Sequence, residues 1–509
     1  MALFVVCLVA ASGEPLHANE PLDIGSHAQL SADKSWIHSA DNVRFALHPA
    51  EKHPGNPPLK ADQPCEGWRV SIYGTVLYDE KEKLFKMWYV GDMTPDFPTF
   101  ATYYATITDG VNWTKPPLGA IKSTTGSTDH NAVVDSCLLP SVIRDAAESN
   151  PAHRYKMLAW VQKLKPEGGP HTFVSPDGIH WTRLSKEPIC RSNDVITGYY
   201  DETRELYVAY PKLSTGVRGE VRRCFGIATS TDFLNWTPPR YVFKPDELDD
   251  AGSIARIEAV RPMLDVDDNS SLMRTEFYGV GAYIAESCTV AFPWVFTINN
   301  NARYGNHEGP SEIQLAVSRD LKEWDRAFRT PVIPRGKPGE WDSGFFTSSS
   351  RALRVGDEVW LYYGGANYTH GTPCLYRDEG TGRGSKYTNS IGLAKWKLNR
   401  FVSVNGPAQG EGAVVVTEPV IFRGDYLELN AKTSSDGDVR VELRDASGLT
   451  IARSKPFAGD DLRHRVEWQD PVDLTALSGQ TVSIRFHLRD AELFTFAFRQ
   501  TRNAVQAGE

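Results

Sequence analysis

The sequence predicts an all-β protein, a five-bladed β-propeller followed by a C-terminal antiparallel β-sandwich. Three observations support this: a hairpin motif that recurs five times, an aromatic-rich strand before each copy, and a change to strict alternation beyond residue 404. Units of three or four strands, repeated every ~55–90 residues, are typical of propeller blades and too long for the hairpins of an up-and-down barrel. We therefore expect a leader at 1–18, a propeller at 30–404 and a sandwich at 405–503.

The recurring hairpin is a strand that ends in a turn carrying Asp and then Trp. A turn Asp accepts hydrogen bonds from the backbone that follows it, and the Trp packs back across the hairpin. We interpret these Asp residues as structural and exclude them from catalysis. The four clear copies are Asp109 with Trp113, Asp177 with Trp181, Asp232 with Trp236, and Asp320 with Trp324, and a degenerate fifth covers 391–396.

Two further strands are predicted in each blade. The aromatic-rich strands lie at 84–91, 155–160, 206–210, 288–298 and 359–365. The candidates for the innermost strands precede them, at 68–78, 131–143, 194–200, 276–282 and 345–355. Helical periodicity is nowhere sustained, which favours an all-β architecture.

The sandwich is predicted from period-2 alternation between Asp- and Gly-containing turns. Apolar and polar residues alternate at 426–431, 439–443 and 482–488, and 493–498 supplies a last strand. The preceding segment 406–412, rich in Gly, reads as a linker or an edge turn.

Composition limits the partners. The net charge is −9 and no basic run is present, so nucleic acid is not an expected partner. Aromatic residues make up 11% of the chain, with 13 Trp, which fits either stacking on sugar rings or the packing of an all-β core. The expected ligand is a carbohydrate, and the oligomeric state is not predicted.

The N-terminal apolar run, 1–11, is shorter than the ~20 residues that span a bilayer and resembles the core of a signal peptide. We expect no membrane span and a periplasmic or extracellular location. The six cysteines after Cys7 contain no CxxC pair, which argues against zinc and leaves disulfides and free thiols equally open. No cofactor is predicted, although a structural calcium at the funnel base leaves no linear signature and stays open.

Candidate catalytic residues are acids at the starts of innermost strands, because those starts converge on the propeller axis. Cleavage of a glycosidic bond needs two carboxyl groups, one protonated and one ionised. Glu276 opens the strand of blade four beside Phe277 and Tyr278, where a raised pKa would suit a general acid. Asp342 precedes the strand of blade five, and Asp194 opens that of blade three as a base or stabiliser.

Each of these acids also has a structural interpretation, as a solvated loop residue or a turn cap. The remaining candidates are polar or aromatic side chains placed near the predicted funnel rim, where they would bind substrate. Trp341 offers a flat platform for a sugar ring. The predicted substrate-binding residues are His53, Glu66, Arg69, His130, Trp341 and His370, with His130 assigned to blade two.

The chain resembles the five-bladed propeller glycosidases of glycoside hydrolase families 32 and 43, and is most similar to bacterial family-32-like proteins with a terminal β-sandwich. The resemblance rests on Asn56-Pro-Pro, on Trp-Asp-Ser-Gly at 341–344, on the Asp–Trp hairpins and on Leu-Ala-Lys-Trp-Lys-Leu-Asn-Arg-Phe-Val-Ser at 393–403. The family's Trp-Met-Asn-Asp-Pro and Glu-Cys-Pro motifs are absent, and Ala146 follows Arg144-Asp145 where the family has Pro. No catalytic residue is therefore carried over from the family.

The resemblance implies a secreted glycoside hydrolase acting on a plant or algal poly- or oligosaccharide. The alternative is a non-catalytic carbohydrate-binding propeller that kept the funnel without an acid pair. A glycoside phosphorylase is a third reading, and it would need a cluster of Arg, Lys or His to hold phosphate.

Overall fold

The computed structural model describes residues 20–162, 168–303, 307–371 and 386–501. It divides into two compact units, one of 30–33 and 45–404, the other of 1–29, 34–44 and 405–509 within those described ranges. The predicted leader, Cys7 and Cys374 lie outside the described residues.

The larger unit is a five-bladed β-propeller, as predicted. Each blade is a sheet of antiparallel strands that runs outward from the axis. Blades one to three consist of Val70–Asp79, Leu84–Gly91, Ala101–Ile107 and Ala132–Asp135; of Cys137–Arg144, Tyr155–Val161, Gly169–Ser175 and Thr182–Arg183; and of Ile196–Asp201, Leu206–Val217, Glu220–Ser230 and Arg240–Phe243.

Blades four and five contain interrupted strands. Blade four has Arg274–Ile284 and Thr289–Ile298, with a third strand in two pieces, Ser311–Ile313 and Ala316–Ser318. Blade five has an inner strand in two pieces, Phe346–Ser348 and Leu353–Val355, then Glu358–Ala366, Asn389–Lys397 and Glu51–Lys52. The N-terminal strand Glu51–Lys52 thus completes the last blade and closes the ring. Two short helices, Glu247–Ala251 and Ser253–Glu258, connect blades three and four.

The inner strands are joined to one another around the axis by hydrogen bonds between neighbouring blades. Small hydroxyl residues and glycines at these positions let the five strands approach closely. Gly281 of blade four shows why, because a Cβ there would lie 2.5 Å from Ser349 O of blade five. In blade order the bonds join Val142 to Thr75, Gly198 to Ser141, Thr197 to Val280, Ala282 to Ser350 and Thr347 to Ile72.

The hairpin Asp residues have the structural role expected of them. Asp232 Oδ1 accepts the backbone N–H groups of Leu234 and Asn235, both at 2.8 Å, and Trp236 Nε1 donates to Phe233 O at 3.1 Å. Asp109, Asp177 and Asp320 accept equivalent backbone bonds in their own turns. Their carboxylates cap the turns by accepting backbone hydrogen bonds, as the sequence indicated.

One blade assignment is wrong. The segment 131–143 is not one innermost strand, because Ser136, at φ 59°, separates Ala132–Asp135 from Cys137–Arg144. Ala132–Asp135 pairs with Ala101–Ile107 and is the outer strand of blade one. His130 therefore belongs to blade one, because the chain passes from the outer strand of one blade to the inner strand of the next within one residue.

The smaller unit is a β-sandwich whose strands belong to one folded sheet of eleven strands. One of its two long strands, Thr481–Arg499, bends back on itself, because Phe486 and Phe496 are ten residues apart yet have ring centroids 5.2 Å from each other. Trp36 packs against both rings, and Asp490 takes a positive φ of 43° at the bend. Tyr426–Asp445 shifts register between Thr433 and Asp438, opposite that bend. The two halves form the two layers.

The N-terminal segment contributes to this unit, which the sequence did not predict. Leu22–Gly25 pairs parallel with Val420–Phe422, and Ile37–Asp41 pairs antiparallel with Ala413–Thr417. The other strands of the sheet are Gln29–Leu30, Arg44–Leu47, Val402–Gly406, Thr450–Arg453 and Asp460–Arg465, and a short helix covers Leu474–Leu477.

Candidate functional site

The propeller axis is marked by a contact between blades that are not neighbours in the ring. Tyr73, on the inner strand of blade one, packs edge-to-face on Trp294 of blade four, with ring centroids 5.4 Å apart. Blades one and four can meet only across the axis. Tyr73 and Tyr278 are both half-buried, and the space that their exposed parts face, at this end of the inner strands, is called the axial recess.

Six side chains gather around these two phenols, and the eight residues together are called the funnel group. They come from blades one, three, four and five. The members are Arg69, Tyr73, Asp194, Lys212, Arg223, Glu276, Tyr278 and His370.

Asp194 is the accessible carboxylate of the funnel group. Its side chain is 62% exposed, and it forms an ion pair with Lys212, whose side chain is only 2% exposed. Burial by itself would raise the pKa of Asp194, but the Lys212 ammonium outweighs it and lowers that pKa. Asp194 therefore stays ionised at neutral pH, as a base or nucleophile requires.

Lys212 is held against an aromatic ring. Its Nζ lies 4.6 Å from the centroid of the Tyr278 ring, within cation–π distance. Burial lowers the pKa of Lys212, and the Asp194 carboxylate partly offsets this. The ammonium is thus a desolvated cation stabilised by one carboxylate and one ring.

Glu276 is buried and paired with two arginines. Arg223 Nη1 donates to its Oε2 at 2.5 Å, and Arg274 Nε donates to its Oε1 at 2.8 Å. Glu276 is thus the shared anionic partner of two guanidinium groups. The predicted role of Glu276 as a general acid stays a prediction, and its contacts are those of a counter-ion.

His307 lies between the same two arginines. Arg223 Nη2 is 3.2 Å from its Nδ1, and Arg274 Nη2 is 3.2 Å from its Nε2. Burial, followed by the charge of Arg223, lowers the pKa of His307 to about 4, so the ring is neutral near pH 7. A neutral imidazole has one lone pair and one N–H, so one of the two guanidinium groups faces a donor.

His370 is a fixed, neutral imidazole. Its Nδ1 lies 2.8 Å from the His307 carbonyl oxygen, which can only accept, so Nδ1 carries the proton and Nε2 accepts from Tyr278 Oη at 3.1 Å. Burial lowers the pKa of His370 to about 3, and the charges of Arg223 and Lys212 act in the same direction. His370 therefore orients the Tyr278 phenol.

Arg69 completes the funnel group from blade one. It donates to Tyr368 Oη at 3.1 Å, lies 3.6 Å from Asp92, and stacks over Trp68 with 4.9 Å to the ring centroid. Its side chain keeps 26% of its exposure, so the guanidinium can contact a ligand in the recess.

Asp342 and Trp341 have their side-chain partners within blade five. The buried carboxylate of Asp342 pairs with Lys52 at 2.6 Å and accepts from Tyr363 Oη at 2.8 Å, and both partners belong to blade five. Trp341 packs on Tyr363, with ring centroids 5.6 Å apart. In the part of the chain that the structure describes, no hydrogen bond or ion pair joins Asp342 to Glu276.

His53 also lies in blade five. It follows the strand Glu51–Lys52, is half-buried, and accepts from the backbone N–H of Gly55 at 3.1 Å. Asn56, three residues on, donates to Leu393 O at 2.9 Å and to Tyr363 Oη at 3.3 Å, which ties this loop to the group around Asp342.

Glu66 lies in blade one and is fully buried. Its carboxylate accepts from Tyr89 Oη at 2.5 Å, from Lys115 Nζ at 2.8 Å and from the N–H groups of Asp62 and Gln63 at 3.1 Å. These four donors occupy the lone pairs of a carboxylate, which is the arrangement of a structural residue. The predicted role of Glu66 in substrate binding stays a prediction.

His130 is packed in the same blade. It is buried, its ring meets Phe97 edge-to-face at 5.1 Å, and its Nε2 lies 3.2 Å from Ser127 O. Of the nine predicted site residues, Asp194, Glu276, Arg69 and His370 come together in the funnel group. Asp342, Trp341 and His53 lie in blade five, and Glu66 and His130 in blade one.

The sequence analysis missed Lys212, Arg223, Tyr73 and Tyr278. Lys212 and Arg223 stand on the second and third strands of blade three, outside the starts of innermost strands to which the search was limited. A signal existed for Lys212, because a lysine directly follows the buried run Leu-Tyr-Val-Ala-Tyr-Pro at 206–211.

Glu308 is a further buried carboxyl near the funnel group. It follows His307, has no exposed surface, and accepts the backbone N–H of Gly309 at 3.1 Å. Burial raises the pKa of Glu308 to about 7. It is thus partly protonated at neutral pH, and its side chain is enclosed.

Within the described ranges, no group of three or more His, Cys, Asp or Glu side chains is placed to hold a metal ion. Among the cysteines that the structure describes, Cys65, Cys190, Cys224 and Cys288 are free thiols. No helix in the described segments is long and apolar enough to cross a membrane.

Comparisons with known proteins give structural matches alone. No protein-family profile matches the sequence. No curated protein matches it either.

Among solved structures, the chain is similar to a fructofuranosidase from Schwanniomyces occidentalis in complex with fructosylnystose, at 10% identity and a TM-score of 0.38, covering 94% of this chain and 99% of that one. It is similar to a family 43 arabinoxylan arabinofuranohydrolase from Bacillus subtilis in complex with cellotetraose, at 11% identity and a TM-score of 0.37, covering 89% and 99%. A glycosyl hydrolase from Bacteroides ovatus matches at 14% identity and a TM-score of 0.39, covering 69% and 94%. The chemistry of the funnel therefore has to be argued from its own residues.

Proposed function

We propose that the protein hydrolyses glycosidic bonds in a plant or algal poly- or oligosaccharide, with Asp194 as the ionised carboxylate. The observation that carries this proposal is the exposure of Asp194 beside Tyr73 and Tyr278, at the axis of a propeller whose neighbouring carboxylates are buried. A glycosidase needs one carboxylate that stays charged and reaches the substrate. The lowered pKa of Asp194 and the exposure of its side chain support this role.

The surroundings of Asp194 suit a sugar. Tyr73, Tyr278 and Trp68 are half-buried aromatic residues, which can pack on the apolar face of a pyranose or furanose ring. Arg69 and Asp194 supply hydrogen-bonding groups for hydroxyls. A concave site with aromatic walls and a few convergent polar groups is the usual form of a ligand pocket.

The second carboxyl group has to be protonated when the leaving group departs. Glu276, Asp342 and Glu308 are the buried candidates for this proton donor. The pKa of Glu308, about 7, suits an acid, but its side chain is enclosed. Glu276 pairs with Arg223 and Arg274, and Asp342 pairs with Lys52.

The same observation favours a second candidate function, carbohydrate binding without cleavage. In this reading, Glu276 and Asp342 hold Arg223 and Lys52 in place, and the funnel binds a glycan that it does not cut. Asp194 then accepts hydrogen bonds from sugar hydroxyls.

Steady-state kinetics on a panel of polysaccharides and aryl glycosides separate the two functions. Asp194→Asn should lower kcat on the order of 10²–10⁴-fold and leave glycan affinity nearly unchanged. Binding of glycans by the unmodified protein with no release of product would rule out hydrolysis and support the binding function.

The proton donor can be identified from how the activity of each variant depends on the leaving group. The amide variants Glu276→Gln, Asp342→Asn and Glu308→Gln are assayed on aryl glycosides with good and poor leaving groups. The variant that lacks the donor should lose activity on poor leaving groups and keep it on good ones, because a good leaving group departs without a proton. A loss that is equal on both classes would assign that residue another role.

Export is part of the proposal and is supported by the apolar run at 1–11. We further propose the boundaries 1–18, 30–404 and 405–503 for the leader, propeller and sandwich. Sequencing the N-terminus of protein recovered from the periplasm or the medium tests the leader, and a mature chain that still begins at Met1 would contradict it.

A further inference from the structure

The funnel group and its closest partners carry more cationic side chains than carboxylates. The cations are Arg69, Lys212, Arg223 and Arg274. Their carboxylate partners among the described residues are three, Asp92, Asp194 and Glu276. The whole protein carries a net charge of −9, so this excess is local. Neutral sugars do not require it.

Lys212 has hydrogen-bonding capacity left over. An ammonium group has three N–H donors, and within the described ranges the structure shows one acceptor, the Asp194 carboxylate, together with the face of the Tyr278 ring. The side chain is 2% exposed, so water satisfies little of the remainder. A buried cation gains strongly from a second anionic acceptor, because the surroundings screen the interaction weakly.

Arg223 faces the same space. Its Nη1 bonds Glu276, and its Nη2 is directed at His307, a ring that Arg274 approaches from the other side. Two guanidinium groups thus compete for one imidazole lone pair, while Arg223 keeps 14% of its side-chain exposure. Its planar donors match the oxygens of a carboxylate, sulfate or phosphate.

We propose that Lys212 and Arg223 form an oxyanion subsite in the funnel, which binds a carboxylate, sulfate or phosphate group. The inference rests on the proposed function for its assignment of the funnel as the sugar site. The anion that binds there has one of two sources. It is part of an anionic glycan substrate, such as one with uronic acid or sulfate groups, or it is free phosphate that binds as a second ligand beside the sugar.

Calorimetric titration of the full-length protein at constant ionic strength tests the subsite. The probes are inorganic phosphate, inorganic sulfate, and a uronic-acid oligosaccharide with its neutral, carboxyl-reduced counterpart. We expect at least ten-fold tighter binding of the anionic oligosaccharide than of the neutral one. Phosphate that binds more tightly than sulfate, and without sugar, would identify free phosphate as the source of the anion.

Two variants locate the binding. Lys212→Met and Arg223→Gln should each weaken binding of the anionic probe at least ten-fold and change binding of the neutral one less than two-fold. The matched control is Arg261→Gln, an exposed arginine that also pairs with two carboxylates, Glu258 and Asp268, and it should leave both affinities unchanged. Circular dichroism confirms that each variant is folded, and Arg223→Lys replaces either variant that is not.

Equal binding of anionic and neutral probes, or unchanged binding by folded Lys212 and Arg223 variants, would overturn the subsite. The two proposals fail separately. If a neutral glycan is hydrolysed as fast as the anionic one, the proposed hydrolase activity stands and the oxyanion subsite is contradicted. If the anionic glycan binds tightly but no product is released, the subsite stands and the hydrolase activity is contradicted.

Discussion

Replacing Glu276 with Gln tests whether this residue acts as a counter-ion or as an acid. The substitution keeps the shape of the side chain but removes the charge that Arg223 and Arg274 share. Removing one partner of a buried ion pair costs about 3–5 kcal/mol, because the remaining charges stay buried without compensation. We therefore expect Glu276→Gln to destabilise the propeller strongly.

The expected shift in melting temperature follows from the size of the unit. The propeller contains roughly 360 residues, so an unfolding entropy of about 2.1 cal/mol/K per residue predicts a fall of about 4–7 °C. Differential scanning calorimetry measures this transition. The matched control is Glu202→Gln, which breaks the exposed pair with Arg351 and should cost at most about 1 kcal/mol.

A melting temperature within about 1 °C of the unmodified protein would refute the counter-ion reasoning for Glu276. If kcat on poor leaving groups fell as well, Glu276 would be the proton donor instead. A fall in stability equal to that of Glu202→Gln would show that solvent reaches the pair.

Two further predictions concern packing and pH. Gly279→Ala would place a Cβ 2.1 Å from the buried ring of Trp294, so calorimetry should show that the free energy of unfolding falls by about 3 kcal/mol. The control is Gly216→Ala, where a Cβ would meet no atom within 4 Å, and its free energy of unfolding should stay within about 0.5 kcal/mol of that of the unmodified protein. Equal changes in stability for the two variants would show that the inner strand of blade four accommodates the extra Cβ without loss of stability. Burial raises the pKa of Glu308 from 4.5 to about 7, so the folded state binds this proton more tightly than the unfolded chain does. The contribution of the protonated carboxyl group to the stability of the folded state is therefore complete below about pH 4.5 and is lost as the pH rises through 7. Denaturant unfolding between pH 5 and 8 should show this loss, on the order of 3 kcal/mol, and Glu308→Gln should reduce the slope; an unchanged slope would contradict the shift.

The architecture could be predicted because its signals are local. The turn Asp and Trp of each hairpin are separated by three residues, so the repeat is visible in the sequence alone. The boundary between blades one and two was missed because only Ser136 separates two strands that belong to different sheets. The pairing of Leu22–Gly25 with Val420–Phe422 joins segments almost 400 residues apart, and no local pattern records it.

Part of the funnel group could be predicted from the sequence, for a geometric reason. Searching the starts of innermost strands identified Arg69, Asp194 and Glu276, which meet in the funnel group. The same search selected Asp342, whose side chain turns toward Lys52 and Tyr363 within its own blade. It excluded Lys212, because a residue on a second strand reaches the axis only through the direction of its side chain, and the sequence does not give that direction.

A crystal structure of the Asp194→Asn variant with a bound oligosaccharide tests the central claim most directly. The account predicts a sugar ring in the axial recess, packed on Tyr73 or Tyr278, with its anomeric carbon within about 3–3.5 Å of the side chain at position 194 or of a water that it holds. A sugar bound instead at Trp341 and Asp342 in blade five, with the recess at Asp194 unoccupied, would contradict it.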